Sequence, residues 1–447
     1  MKSTILKKLN TALPSPVKKL FGPLIRRKLF LNQVFTAQLD ELNQLDLEEE
    51  EVIKSKQFNK LKQTLIHAYE HTSYYKKLFV ECGFNAYDFC DIADMQKIPL
   101  LKRADITANF AALQADDVSD YYESATGGSS GASLKILLDK DSIYRERAFI
   151  YHFWAKSGYD YQTSKIASFR GGIDFKGKIY RYNPLYNEVQ LNPCLINSDT
   201  FEKYLLAIDK FKADFIHGLP SAIFSFCKQA KASNEKLKGK YKAVFFISEN
   251  IYAYQREFIE KTLGCKSYAY YGHTERAVFA EQNANQNANQ NADQNADQNG
   301  TGYRFNDYYC YVEVDNSNII TTGFVNQKMP LIRYELDDSA YYESGFYSIT
   351  GHRDGILHGK NGEIISAASL YIHDSAMDKV ANQQFVQDKA GAVTMLICPI
   401  NELNENDRKS IENYYQAKLG TAIDIKVKIT HDIHFTSRGK LPLIVHK

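Results

Sequence analysis

Thr126-Gly127-Gly128-Ser129-Ser130-Gly131-Ala132-Ser133 packs four hydroxyls and three glycines into one short run. Glycines let a backbone take positive φ and come close to a ligand, while successive N–H groups and hydroxyls donate to phosphate oxygens without a fixed cation. The run has the makings of a phosphate cradle, although a Gly/Ser-rich stretch is also what an ordinary turn looks like. It is not a Walker loop, because no Gly-Lys-Ser/Thr follows it. Further groups able to do chemistry are spread downstream: Ser248-Glu249, Tyr271-Gly272-His273-Thr274-Glu275, Arg333-Tyr334-Glu335-Leu336-Asp337-Asp338 and Arg438-Gly439-Lys440. Each is weak alone. Tyr271 and Tyr334 are two of 31 tyrosines and read first as packing residues. Glu275 alone is a solvated or helix-capping carboxylate, Lys440 a surface lysine, and His273 a spacer with no Cys or Ser partner to make it a general base.

These groups need elements to hold them. The runs flanking the glycine loop read as strands, Leu134 to Leu138 being the second. Helical periodicity runs from Asp40 to about Leu113, with Phe58, Leu61, Leu65, Ala68 and Tyr69 on one face and a solvated acidic run from Glu48 to Glu51. Beyond the loop, helices over 141–157, 204–211 and 221–231 alternate with short strands over 165–169, 215–218 and 243–247. That order predicts an α/β fold whose large N-terminal domain has mixed, largely parallel sheets, with ligands beyond the carboxyl ends of the strands. Arg170-Gly171-Gly172, His217-Gly218-Leu219-Pro220 and the Ser248 neighbourhood stand near such ends and are candidate lining segments. After Gly351 the pattern becomes that of a small α+β C-terminal domain, with strands at 363–365, 393–398 and 423–429 and helices at 367–380 and 405–418. The expected domains are therefore a basic segment 1–39, a large domain 40–350 and a small mobile domain 351–447. Residues 282–299 are a Gln-Asn-Ala-Asn/Asp tandem repeat, which lacks apolar side chains beyond alanine and is expected to be a disordered insertion.

Composition narrows the partners. A net charge of +2 over 447 residues gives no general attraction to nucleic acid. Seven cysteines, an odd number without metal-ligand spacing, point to a reduced cytoplasmic protein. No run has the length of an apolar membrane span, and the N-terminus lacks a signal-peptide core. The first 39 residues hold no acidic side chain but carry Lys2, Lys7, Lys8, Lys18, Lys19, Arg26, Arg27 and Lys28 among apolar residues. They suit either a solvated helix pair broken at Pro14, Pro16 and Pro23 or a peripheral contact with the anionic inner face of a membrane.

In this order and spacing the five motifs resemble the adenylate-forming acyl ligase superfamily, and within it the phenylacetate–CoA ligase and CapK-like capsule-biosynthesis branch. Upstream, Ala68-Tyr69-Glu70-His71-Thr72-Ser73-Tyr74-Tyr75 and Ile98-Pro99-Leu100-Leu101-Lys102 are similar to that branch's N-terminal pattern, so the resemblance spans about residues 55–447 apart from the repeat. It implies an enzyme that uses ATP and Mg²⁺ to activate a small-molecule carboxylate as its acyl-adenylate, releasing pyrophosphate. An amine, a hydroxyl or the thiol of CoA then takes the acyl group, and the branch points to surface-polysaccharide biosynthesis. Residue by residue, the resemblance assigns the β- and γ-phosphates to the loop Thr126, Gly127, Gly128, Ser129, Ser130 and Gly131. Tyr271 stacks on adenine and Gly272 leaves room for it, while Ser248 and Glu249 border the same pocket. Thr274 touches the α-phosphate, Glu275 binds Mg²⁺, Asp338 grips the ribose hydroxyls, and Lys440 bridges the attacking carboxylate and the α-phosphate.

The chain departs from the pattern in places. Ser133-Leu134 stand where Pro-Lys is common, and Glu335-Leu336-Asp337 where Arg-Thr-Gly is usual. At the hinge, His352 takes the usual arginine position, leaving Arg353 as its substitute, and Gly355 takes the aspartate position. These changes speak against CoA as the acceptor and favour a second reading, a catalytically silent fold serving as a membrane-associated binding protein; within the enzyme class the alternative is a conventional aryl- or acyl-CoA ligase.

Overall fold

Ile166-Ala167-Ser168-Phe169, Phe215-Ile216-His217-Gly218 and Ala243-Val244-Phe245-Phe246 are short apolar runs buried along their whole length. Such runs cannot alternate between core and water, so they need cover on both faces and pair in parallel. In the computed structural model they do so in register, Phe169 beside Gly218 beside Phe246. Glu188–Leu191 extends the parallel set and Tyr180–Asn183 closes it antiparallel. The helices Ser198–Phe211 and Pro220–Ala232 follow the amphipathic pattern, the first capped by Asn197 and the second opened by Pro220.

The structure describes residues 26, 31–125, 134–170, 173, 175–282, 302–343, 345–350, 355–366, 370, 377, 379–400, 402–436 and 439–447. Its described residues form two compact units. One draws on the described residues up to Tyr161, from Ala269 to Gln282 and from Gly302 to Thr350, the other on those from Gln162 to Tyr268 and from Gly355 to Lys447.

In the first unit, pairing is antiparallel. The order is Cys310–Asp315, Asn318–Gly323, Tyr334–Glu343, Phe346–Thr350, Tyr303–Phe305, Phe279–Gln282 and then the end of Lys266–Gly272. The α/β class and the mixed sheets are as expected, with parallel pairing among strands from Ile166 to Phe246, in the C-terminal sheet and at the Leu101–Tyr334 bridge. Helix Gln33–Leu45 begins inside the basic N-terminal stretch and buries Phe35 and Leu39. Arg26 is also buried, its guanidinium donating to the Tyr161 carbonyl.

In the second unit, residues after Ile356 build the sheet Asp424–Ile429, Ala392–Pro399, Val380–Lys389, Ile444–His446. Helix Glu405–Leu419 covers it through Ile411, Tyr415 and Leu419. The expected helix over 367–380 lies almost wholly outside the described residues, and Val380 itself opens a strand. Helix Pro220–Ala232 meets this sheet with polar groups: Ser225 bonds Asn382, and Lys228 donates to the carbonyls of Met377 at 2.8 Å and Val380 at 2.5 Å.

Candidate active site

Tyr121–Ala125 and Lys135–Asp139 pair antiparallel, with Ala125 opposite Lys135. The glycine-rich run lies in sequence between these two strands. Its residues Thr126, Gly127, Gly128, Ser129, Ser130 and Gly131 lie outside the described ones, as do Gly171 and Gly172, the hinge residues Gly351 to Asp354 with Arg353, and Arg438. Buried Asp139 anchors the second strand's end. Its carboxylate accepts from the Ser142 and Gln327 amides and from Arg145, each at 2.8 Å.

In the first unit, strand Lys266–Gly272 delivers Tyr271 and the turn after it. Thr321 Oγ1 donates to the Ala277 carbonyl at 2.6 Å and Gly323 lies against Ala277, so this turn sits over the strands that lead to Asp338. There Tyr271 Oη donates to Asp338 Oδ2 at 2.7 Å, and His273 Nε2 meets the same oxygen at 2.8 Å. A carboxylate only accepts, so His273 gives it the Nε2 proton. Asp338 is 8 % exposed. Burial opposes a charge on His273, but the Asp338 bond and the Asp338, Glu275 and Asp337 charges outweigh it and raise the imidazole above its ordinary value. Burial, followed by Asp338, pushes the Tyr271 hydroxyl far up, so it stays a donor. Buried Glu275 lies close by, 3.5 Å from the Tyr334 hydroxyl, with Thr274 half-buried beside it. Gly272 is exposed, and a Cβ there would meet the Val278 carbonyl at 3.4 Å.

The upstream motifs hold this strand in place. Leu101 N donates to the Arg333 carbonyl and Glu335 N to the Leu101 carbonyl, both at 3.0 Å. Tyr75 Oη reaches the Pro330 carbonyl at 3.2 Å and accepts from Ile332 N at 3.0 Å. Arg333 is buried and saturated by Glu313, Gln96 and the Ile98 carbonyl, which fits it for architecture and not for phosphate binding. The unusual acids beside it face cations: Glu335 lies 3.6 Å from Lys102, and Asp337 4.0 Å from Arg103.

The second unit brings together another set. Parallel register aligns Arg170, Leu219 and Ile247 just beyond the strand ends, where Leu219 N donates to the Phe169 carbonyl and Ile247 N to the Gly218 carbonyl, both at 3.0 Å. His217 is buried against Ser168 Oγ at 3.0 Å, and burial first, then the Arg170 charge, keeps it well below its ordinary pKa. Gly218, at φ 145, leaves no room for a side chain: a Cβ would lie 2.1 Å from the Phe169 carbonyl oxygen. Ser248 takes φ 65 and turns the chain so that Glu249 points back. Glu249 accepts from Ser221 N at 3.0 Å, Ser221 Oγ at 3.1 Å and Leu441 N at 3.2 Å. Burial raises its pKa, and these bonds with the Lys440 charge offset part of the rise. Glu249 thus fastens the turn that carries Lys440. That turn is closed by Thr436, whose Oγ1 accepts from Lys440 N at 3.0 Å and whose N donates to the Lys440 carbonyl at 2.9 Å.

Reasoning from sequence missed the part played by His273, whose partner lies on a strand reached only through the sheet. It also gave Glu249 a place at the adenine pocket and not its bonds to Ser221 and Leu441.

Residues 357–447 match the family model of the CapK C-terminal domain. Over 368 residues the chain is 22% identical to protein CapK of Staphylococcus aureus, covering 78% of this chain and 79% of that one. Two structures of 2-hydroxyisobutyryl-CoA ligase in the postadenylation state, one in complex with R3-HIB-AMP and one with 2-HIB-AMP, superpose with TM-scores of 0.61 and 0.60. Their identities are 15% and 16%, and each covers 88% of this chain and 89% of the ligase. The fold is that of the adenylate-forming CoA ligases, and the chain resembles CapK over most of its length. Among the described residues no helix is long and apolar enough to cross a membrane.

Proposed function

We propose that this chain is an ATP-dependent ligase that activates a carboxylate as its acyl-adenylate and passes the acyl group to an acceptor in surface-polysaccharide biosynthesis. The observation that carries the reading is the double hydrogen bond of Tyr271 and His273 to one oxygen of Asp338, next to the buried carboxylate of Glu275. Asp338 accepts from the ribose hydroxyls, and its two protein donors fix its orientation in advance. Glu275 suits a hard divalent cation, being a buried carboxylate with a tyrosine hydroxyl as its polar neighbour. Mg²⁺ bound there supplies positive charge to the phosphate oxygens.

An oxygen of the substrate carboxylate attacks the α-phosphorus, the bond to the bridging oxygen breaks, and pyrophosphate leaves with the electron pair. Lys440 neutralises the charge that gathers as two anions meet. The acceptor's nucleophile then attacks the acyl carbon and AMP departs. The likeness to CapK supports the polysaccharide setting, and the fold shared with a CoA ligase supports CoA as an alternative acceptor. The basic segment 1–39, without Arg26, which is buried against the Tyr161 carbonyl, supplies a peripheral contact with anionic lipid. The test is pyrophosphate release over a panel of carboxylates, with and without CoA, amino acids and nucleotide sugars. Release that needs one carboxylate supports the reading. No release with any, from protein that binds ATP, points instead to a silent fold used for binding.

A further inference from the structure

Helix Glu50–His71 carries His67 and His71 four residues apart, on one face of its last turns. Asp116 and Asp117 come back to that face from the loop after Leu113, and main-chain bonds hold the loop there. Asp116 N donates to the His71 carbonyl and Tyr74 N to the Ala112 carbonyl, both at 3.0 Å, and Ala115 N to the Lys328 carbonyl at 2.9 Å, while the Lys328 side chain donates to the Ala115 carbonyl at 2.7 Å. The side chains converge. His67 Nε2 is 3.2 Å from both carboxylate oxygens of Asp117, and His71 Nε2 is 3.8 Å from Asp117 Oδ2. One ligand atom from each of the three lies within 4.8 Å of the others.

His71 has a further feature that simple ion pairing does not need. Its Nδ1 is bonded to Asp116 Oδ1 at 2.9 Å, while Nε2 faces Asp117 at 3.8 Å and Glu70 at 3.9 Å. A carboxylate on one ring nitrogen fixes the tautomer and aims the other lone pair, which is how metal-binding imidazoles are oriented. Tetrahedral Zn²⁺ with bonds of about 2.0–2.2 Å sets its donors roughly 3.3–3.5 Å apart. Here the donor atoms stand 3.2 Å to at most 4.8 Å apart, so the side chains draw in around the ion as it binds. Two imidazoles and one carboxylate favour Zn²⁺ or a similar transition metal over Mg²⁺.

We propose that His67, His71 and Asp117 form a binding site for Zn²⁺ or a like transition-metal ion, with Asp116 orienting His71. The site is separate from the carboxylate Glu275, and the ion ties the end of helix Glu50–His71 to the loop that holds Lys328. Its donors are partly exposed, so a fourth position is open to water or to an outside ligand.

The test is titration of the full-length chain with zinc chloride by calorimetry, with equilibrium dialysis and elemental analysis for stoichiometry and magnesium chloride as a control. His67→Gln and Asp117→Asn should each lose one bound zinc per chain relative to the parent, with affinity at that site down about 100-fold or more. Asp116→Asn should weaken it about 10-fold. Melting in chelator shows that each variant folds, and zinc should raise the parent's melting temperature but not that of the first two variants. If His67→Gln fails to fold, Asp117→Asn, altered on a partly exposed loop, carries the test. Zinc binding unchanged in the folded variants would place the metal on other histidines or cysteines and overturn the proposal. Absence of zinc binding by the parent would overturn it as well.

Discussion

Lys440 and Glu275 both bring charge to a reaction between anions, but they are needed at different moments. Lys440→Ala should lower acyl-adenylate formation by roughly 10²-fold or more with little change in ATP affinity, because the charge it meets builds up in the transition state. Glu275→Gln should weaken MgATP binding and turnover together, since the cation is required in the ground state too. Pyrophosphate-release kinetics with the identified carboxylate checks both, and wild-type release by Lys440→Ala would end the assignment. Glu249 makes a different forecast, one of stability. Its folded pKa is raised, so its contribution is complete below the unfolded value of about 4.3 and is lost as pH climbs through the folded value. Melting of the parent should therefore decline over that window relative to Glu249→Gln, whose side chain keeps its size and carries no charge; parallel pH profiles would remove the burial argument. At this scale the sequence showed the motif residues, because each motif is contiguous. It hid the His273–Asp338 bond and the meeting of His71 with Asp116, because both join residues brought close only by tertiary folding.

Elements explain why motifs far from the chemistry accompany it. The Tyr74-Tyr75 pair and the Ile98-to-Lys102 turn both end on the segment Pro330 to Glu335, the approach to the Asp338 strand. Arg333 locks that junction from inside, with φ 50 and a guanidinium shared between Glu313, Gln96 and the Ile98 carbonyl. Arg333→Met should cost about 3–5 kcal/mol, since it takes the cation from the nearly buried Glu313 carboxylate and leaves the Gln96 side-chain amide as its donor. Urea unfolding measures this, and a loss under about 1 kcal/mol would show that Glu313 finds solvent or another donor. The strands over 166–169, 215–218 and 243–246 were legible as apolar runs with turn signals after them. Tyr180–Asn183 and Glu188–Leu191 were not, since four-residue strands holding Asn, Arg, Glu and Gln resemble loop in composition. Helix Ala253–Leu263 was missed as well. Its opening turn has no side-chain cap, and only Gln255, Ile259 and Leu263 are buried, a thin stripe to find by periodicity.

Across the whole molecule, the change of pattern near residue 351 falls beside a break between the compact units, yet the second unit also gathers residues 162–268. Sequence texture alone cannot show which parts of a long chain pack together, because that depends on which strands pair. The same pairing decides what the tandem repeat can do. Gln282 and Tyr303 are partners on adjacent antiparallel strands, so the chain leaves and re-enters the sheet at one place. Replacing residues 283–302 by a two-residue Asn-Gly turn should leave melting and pyrophosphate release nearly unchanged, because loop closure alters by only about 0.6 kcal/mol per doubling of length. A large fall in melting temperature would mean that the repeat supports the sheet. Each tetrapeptide is encoded by a whole number of codons, and tandem copies in a gene are prone to slip during replication. Gain or loss of a unit keeps the reading frame, and the strands that close the insertion are the same either way. The hairpin is thus a place where the gene can change length freely, so strains or isolates carrying different numbers of the repeat should share one fold and one active site.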